Sequence, residues 1–464
     1  MTKIEFHGAD RGVTGSCHLI ETAGVRILID CGLYQGGREL EEENAEPFGF
    51  DPAGIDYVLL THGHLDHCGR LPLLVRRGFR GEIVTTGATR ELARLVMLDA
   101  AGLQEEEARY KNRKLARSGR HAAEIRPLYG TLDALNTLDS FGRTAHYDRP
   151  MEITPGVRAT FVDAGHILGS AAIMLEIEDQ GRSRRILFSG DLGNCGRPII
   201  RDPTRPPEVE AVVMETTYGD RPHKPLRPSV DELISAVATA LAAGGNVIIP
   251  AFALERTQEI LYYLREATEQ GALPRHMPVF LDSPMAISAI EIFERHPECY
   301  DEETQQLFRD GRDPFSLPGL TFTRETAESM ALNRITGGAV IMAGSGMCTG
   351  GRVRHHLKHN LWRSESSIVF VGFAAAGTLA RQIIDGAETV RIFGEVIPVR
   401  AKIYTIGGFS AHADQNELLA WHRQTGAPAR TFLVHGEYEA MQTFARLLKN
   451  TTVEIPAVHQ AYEL

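Results

Sequence analysis

YVLLTHGHLDHCG, residues 57–69, decides how the rest of the chain is read. An apolar run gives way at once to His62, His64, Asp66 and His67. Short apolar runs of this kind, ending in Gly and polar residues, read as strands. Zinc takes imidazole nitrogen and carboxylate oxygen at about 2.0–2.2 Å. Side chains packed this tightly along the backbone cannot all face one ion, but they divide naturally between two. His62 and His64 fall on the same side of an extended segment and can share one ion. Asp66 and His67 follow at the turn into a helix and can hold the second. A His-rich solvated loop is the bland alternative. The strand in front and the flanking glycines weigh against it.

The same arrangement recurs along the chain. VRILID (25–30) ends in Asp30, VRATFVDAGH (157–166) in His166, and RILFSGDLG (185–193) carries Asp191 just past its apolar part. TFLVHGE (431–437) places His435 likewise. Each alone reads as a turn residue, but together they complete two sets of metal ligands. Asp191, with two carboxylate oxygens, suits a bridge between them. Asp30 is expected behind the ligands, orienting an imidazole or the attacking water. EIVTTG (82–87) is a further strand, and residues 88–145 read as helical.

Composition bounds the class. The chain has 464 residues, 43% hydrophobic and 23% charged, which suits a globular protein of two or three domains. Cysteines 17, 31, 68, 195, 299 and 348 form no CxxC pair, so neither a zinc knuckle nor a disulfide framework is expected. No apolar run approaches the ~20 residues of a membrane span, and MTKIEFHGADRG lacks the layout of a secretory leader. A cytoplasmic protein is expected. The net charge of −11 gives no overall pull toward nucleic acid, so a polyanion would need a local groove and metal ions.

From about residue 220 the pattern changes. The proline-rich DRPHKPLRPSVDEL (220–233) reads as a boundary leading into a helix. NVIIPAF, MPVFLDSP, GAVIMAGSG and SSIVFVGF then alternate with helical segments, which predicts a parallel sheet. We expect one domain from 1–219 with 398–464 and a second, inserted, from 220–397. Within the insertion, AGSGMCTGGRVRHHLKHN (343–360) ends a strand and opens a helix on glycine-rich backbone. Such backbone can offer amide N–H groups to a phosphate, with Ser345, Gly346, Met347 and Arg352 as the expected contacts. Arg354 and Lys358 add charge. Arg352-Val353 replaces the Lys-Ser/Thr of a Walker loop. His355, His356 and His359 read as surface or groove lining.

HGHLDH, with Asp30, His166 and Asp191, resembles the metallo-β-lactamase superfamily. The resemblance implies an αββα sandwich and a metal-dependent hydrolase. A long interval separates Asp191 from His435, and VVMETTYGDR, GGFSAHAD and FLVHGE lie between or at its end. With TTYGDR, PAFALERTQE, LDSPMA, SGMCTGGR and GTLAR, this layout resembles the β-CASP subgroup, whose members are nucleases with a second domain inserted to cap the site. The layout is similar to that of bacterial and archaeal RNA-processing nucleases and of the eukaryotic pre-mRNA 3′-end endonuclease. Neither an N-terminal RNA-binding extension nor a long C-terminal domain is expected.

Carried onto this chain, the resemblance makes Glu215, His412 and His435 the subgroup's three motif residues. Histidine at the third, where DNA-repair members have valine, implies RNA. It implies two Zn2+ per chain, with Mn2+ as a substitute, and single-stranded RNA as substrate, cut internally or from the 5′ end. Asp66, His412, Glu215 and Asp30 are the expected catalytic set. His412 would give a proton to the departing 3′ oxygen, with Glu215 fixing an imidazole tautomer. SAHADQNELL reads as a helix starting near Ser410, and Asp414 either supports the site or favours that helix start. A homodimer is left open. Three other readings remain open: an ester or thioester hydrolase on the same fold, a DNA-cleaving enzyme, and a non-catalytic RNA-binding scaffold.

Overall fold

The computed structural model describes residues 2–117, 124–179, 181–372, 374 and 377–464. The helical reading of 118–123 and the last residue of SSIVFVGF, Phe373, lie outside them. The chain divides into two compact units, one of residues 1–197, 202–222 and 412–464, the other of 198–201 and 223–411.

The first unit contains two seven-stranded sheets. One runs in the order Ala461–Glu463, Lys3–Phe6, His18–Thr22, Val25–Ile29, Tyr57–Leu59, Glu82–Thr86, Phe141–Ala145. The other runs Thr452–Glu454, Arg430–Val434, Ala211–Glu215, Arg182–Phe188, Ala171–Asp179, Val157–Asp163, Met151–Thr154. Side chains alternate across a strand, and this sorts the residues into layers. Ile186, Phe188 and Val213 join Ile4, Ile27, Ile29 and Val84 in a core between the sheets. Leu187, Val212 and Met214 point the other way and meet Leu418, Trp421, Met441 and Phe444. Those four come from helices Gln415–Gln424 and Tyr438–Ala445. Helix Gly87–Arg117 lies on Glu82–Thr86 and Phe141–Ala145 of the first sheet. The result is the expected αββα sandwich. Burying one large apolar side chain contributes roughly 1.5–3 kcal/mol, so this double-faced burial holds in place the strands at whose ends the polar residues sit.

In the second unit, Leu320–Phe322, Val279–Asp282, Val340–Ala343, Val247–Pro250, Ser367–Phe370 and Lys402–Thr405 form one sheet in that order. Every pairing in it is parallel. Its central strands Val247–Pro250, Val340–Ala343 and Ser367–Phe370 are wholly buried, as a parallel sheet covered on both faces requires, while the edge strands Leu320–Phe322 and Lys402–Thr405 are partly exposed.

Two sequence expectations differ from this arrangement. Phe141–Ala145 is a strand, not the end of a helical region: it pairs with Glu82–Thr86 at the sheet edge. The segment after 398 was expected to rejoin the first domain, yet Lys402–Thr405 pairs with Ser367–Phe370 of the inserted sheet. The crossing back falls between 411 and 412. Among the described residues, no helix is long and apolar enough to cross a membrane.

Candidate metal centre

The polar residues of the first unit gather at one end of both sheets because each follows its strand. Asp30 comes after Val25–Ile29, His166 after Val157–Asp163, Asp191 after Arg182–Phe188 and His435 after Arg430–Val434. His64 caps the short helix Leu65–Cys68, which turns Asp66 and His67 back toward His62. Tight backbone contact sets this turn. A Cβ on Gly32 would sit 1.6 Å from the carbonyl oxygen of Asp66, and one on Gly193 would sit 1.6 Å from that of Gly165. Only glycine lets these segments touch.

Two groups of ligand atoms result. In the first, His62 Nε2 lies 3.1 Å from His64 Nδ1, and His166 Nε2 lies 3.2 Å from the same atom. Asp191 Oδ2 is 3.4 Å from His62 Nε2 and 3.5 Å from His166 Nε2. In the second, His435 Nε2 is 3.3 Å from His67 Nε2 and 3.4 Å from Asp66 Oδ2. Asp191 Oδ1 lies 3.2 Å from His67 Nε2. The two oxygens of Asp191 therefore face different groups. Ligands 2.1 Å from a tetrahedral ion are roughly 3.4 Å apart, so both groups have the spacing of ion-binding shells.

The chemistry of the donors fits a cation. Asp191 is 2% exposed, and its Oδ1 has no hydrogen-bond partner, a costly state for a carboxylate unless a cation sits beside it. Burial pushes His62 down to about 3 and His64 down to about 4, and lowers His166 well below its ordinary value. These rings stay neutral at physiological pH, with lone pairs available, as metal binding demands. Burial also disfavours a charged His67, but Asp191 and Asp30 on its two sides outweigh that and raise it.

Behind this cluster lies a second layer. Asp30 Oδ2 is 2.7 Å from His67 Nδ1, which fixes the ring with Nε2 toward the ligand group. Thr61 donates to Asp30 twice, from its backbone N–H at 2.8 Å and its hydroxyl at 2.7 Å. Thr217 Oγ1 lies 3.1 Å from His435 Nδ1. Sequence reasoning missed both threonines, although Thr61 adjoins His62 and Thr217 stands two residues after Glu215. Asp30 and His435 both have left-handed backbone, φ 61° and φ 48°, a conformation that residues other than glycine seldom adopt.

Glu215 and His412 form a separate pair beside the cluster. Glu215 is fully buried, accepts from the backbone N–H of Leu192 at 2.7 Å and Thr217 at 3.2 Å, and faces His412 Nδ1 at 3.1 Å. His412 Nδ1 is 4.0 Å from Asp191 Oδ2. Burial alone would favour a neutral His412, but Glu215 and Asp191 hold it protonated, raised to about 9. The helix does not begin at Ser410: it starts at Gln415, because Asp414 caps it and forms a reciprocal box with Glu417. His412 lies ahead of it, bridged to Gly193.

The second unit revises the reading of Arg352. Its guanidinium donates to Asp282 at 2.8 Å and to the carbonyl oxygens of Thr323 and Arg324 at 3.0 and 2.7 Å. Arg352 thus ties down the glycine-rich loop. His356 is not groove lining either: it is fully buried, 2.6 Å from Asp282 Oδ2. Ser345, Gly346 and Met347 are half-buried on the loop ahead of helix Val353–Asn360.

Three family profiles match. Residues 10–251 match the metallo-beta-lactamase superfamily, 257–383 the Beta-Casp domain, and 396–458 a Zn-dependent metallo-hydrolase RNA specificity domain. A ribonuclease of Thermus thermophilus is 43% identical over 451 residues, covering 96% of each chain. A transcription termination factor, FttA, of Methanocaldococcus jannaschii is 31% identical over 97% of this chain and 70% of its own. A solved structure of a protein of unknown function from Enterococcus faecalis V583 shares the fold, with TM-score 0.56, 12% identity and full coverage of both chains.

Proposed function

Because the chain belongs to the β-CASP branch of the metallo-β-lactamase superfamily, we propose that it is a ribonuclease hydrolysing phosphodiester bonds of single-stranded RNA with two zinc ions per chain. The observation that carries this reading is the divided carboxylate of Asp191, one oxygen toward each group of histidines. His62, His64 and His166 would hold one ion; Asp66, His67 and His435 the other, with Asp191 shared. A zinc pair supplies Lewis-acid activation of water and charge neutralisation on the phosphate. Manganese, which also accepts imidazole and carboxylate, is the expected substitute.

The protein's own groups account for the rest. Water adds to phosphorus and releases a proton to solvent, the bond to the 3′ oxygen breaks, and His412 gives that oxygen a proton, which it regains from solvent. The products carry a 5′-phosphate and a 3′-hydroxyl. Glu215 holds the imidazole by Nδ1 and keeps it protonated, so that Nε2 is the donor. Asp30, through His67, and Thr217, through His435, keep two rings aimed at the ions. Ser345, Gly346 and Met347 are retained as the segment offering backbone N–H groups to RNA phosphates, with Arg352 positioning their loop. We place the enzyme in the cytoplasm.

The test uses 5′-labelled single-stranded RNA and DNA of one sequence, with and without chelator, beside a His67→Ala variant. RNA is expected to be cut only without chelator and only by the wild-type protein. Chelator-resistant cleavage, or full activity in the variant, would overturn the proposal.

A further inference from the structure

Hairpin Thr389–Ile392 and Glu395–Pro398 of the inserted unit turns through Phe393 and Gly394. Both have positive φ, 51° and 84°. A two-residue turn of that type favours Asn-Gly or Asp-Gly, so phenylalanine there is unfavourable for the backbone. Its ring gains no core in return, since Phe393 remains 47% exposed. Instead it meets helix Val353–Asn360, with the His355 ring 4.4 Å away at 31° and the Arg354 guanidinium 4.8 Å from its centroid. Arg354 Nε has no hydrogen-bond partner.

His355, His359 and Trp362 follow at spacings of four and three, which aligns them along one face of the helix and its last turn. Trp362 is 47% exposed, with the Arg363 guanidinium 5.1 Å from its ring. Burial and the neighbouring cations lower both His355 and His359, leaving flat neutral rings. The stretch 343–363 carries no acidic residue, in a chain of net charge −11; Arg352 and Lys358 are paired with Asp282 and Glu395, so the positive charge beside the rings comes from Arg354 and Arg363. Exposed rings interleaved with cations match a partner with alternating flat bases and phosphates. Stacking on such rings tolerates any base sequence.

We propose that Phe393, His355, His359 and Trp362, with Arg354 and Arg363, form a platform on which unpaired bases of single-stranded RNA stack. This rests on RNA being the substrate, but the two readings fail separately. Binding is scored on intact RNA, and the ribonuclease reading on cleavage by the wild-type enzyme.

The probe is a fluorescein-labelled adenosine 20-mer RNA, titrated into metal-loaded protein carrying His412→Ala so that the strand stays whole. Phe393→Ala and Trp362→Ala added to that protein are each expected to weaken binding about tenfold to a hundredfold. Phe393→Leu, which keeps bulk but removes the ring, should bind as weakly as the alanine variant. Of the two tryptophans, Trp421 is only 7% exposed, so quenching on RNA addition reports Trp362. Both substitutions, placed in the otherwise wild-type enzyme, should leave hydrolysis of bis(p-nitrophenyl) phosphate unchanged. Unaltered RNA affinity in the alanine variants, wild-type affinity in Phe393→Leu, or absent quenching would overturn the platform.

Discussion

His412 and Glu215 sit 197 positions apart in the chain yet meet with Nδ1 3.1 and 3.2 Å from the two carboxylate oxygens, and the charge of the ring depends on that contact. Burial disfavours protonated His412; Glu215 and Asp191 reverse this and raise it to about 9. A proton donor with a raised pKa works below that value and fails as pH climbs through it. The cleavage rate should therefore fall on the alkaline side near pH 9. Glu215→Gln removes the main stabilising charge, so the fall should move toward the ordinary histidine value of about 6.5. Near pH 7.5 the variant should run roughly tenfold slower, recovering at lower pH. A pH–rate profile checks this; an unmoved alkaline limb would remove His412 as the donor. At this scale the candidate residues were legible because they stand at or just past the ends of apolar runs, or within the dense run HGHLDH. Thr61 and Thr217 were not, since their roles depend on partners that only folding brings near. The same holds for Arg352, whose partner Asp282 lies 70 positions away.

Among the elements, the site depends on backbone that approaches too closely for side chains. Gly193 packs on the segment carrying His166, and its missing Cβ would overlap the Gly165 carbonyl oxygen. Gly193→Ala should displace that segment, destabilise the fold by about 1–3 kcal/mol and lower metal content. Thermal melting and metal analysis on the same sample check both effects; a variant with wild-type metal content would show that the contact does not set the ligand geometry. In the inserted unit the comparable element is the buried Asp282, which binds His356, Ser329, Thr323 and Arg352. Burial would raise its carboxyl, but these donors lower it to about 2. A depressed carboxylate contributes stability above its unfolded value, near 3.8, and loses it as pH falls toward 2. That contribution is about 2 kcal/mol. Asp282→Asn should lose about 3–5 kcal/mol at neutral pH and show a flatter acid limb between pH 4 and 2, read by urea unfolding. An equally steep limb in the variant would assign the acid sensitivity elsewhere. The strands built on long apolar runs were legible, but the strand Phe141–Ala145 and the start of helix Gln415–Gln424 were not. Ser410 and Asp414 are both residues that favour a helix start, and Asp414, which forms the reciprocal box with Glu417, decides.

For the whole molecule, the sequence was clearest where composition changed abruptly. The proline-rich entry near 220 lies close to the observed crossing at 222–223. The return was harder to read because Lys402–Thr405 has the same apolar, β-branched character as strands of either unit. Only its parallel pairing with Ser367–Phe370 assigns it to the inserted sheet. The acidic chain, at net charge −11, has no global attraction for RNA. Function therefore falls to local features: a buried ligand cluster in one unit and a cationic, aromatic face in the other. The cluster carries the account, and Asp191 is its link. Metal analysis by mass spectrometry on folded protein tests this most directly, with Asp191→Ala alongside. Two zinc equivalents per chain are predicted for the wild type, and fewer than one for the variant. Folded wild-type protein that takes up no zinc, or Asp191→Ala retaining both equivalents, would contradict it.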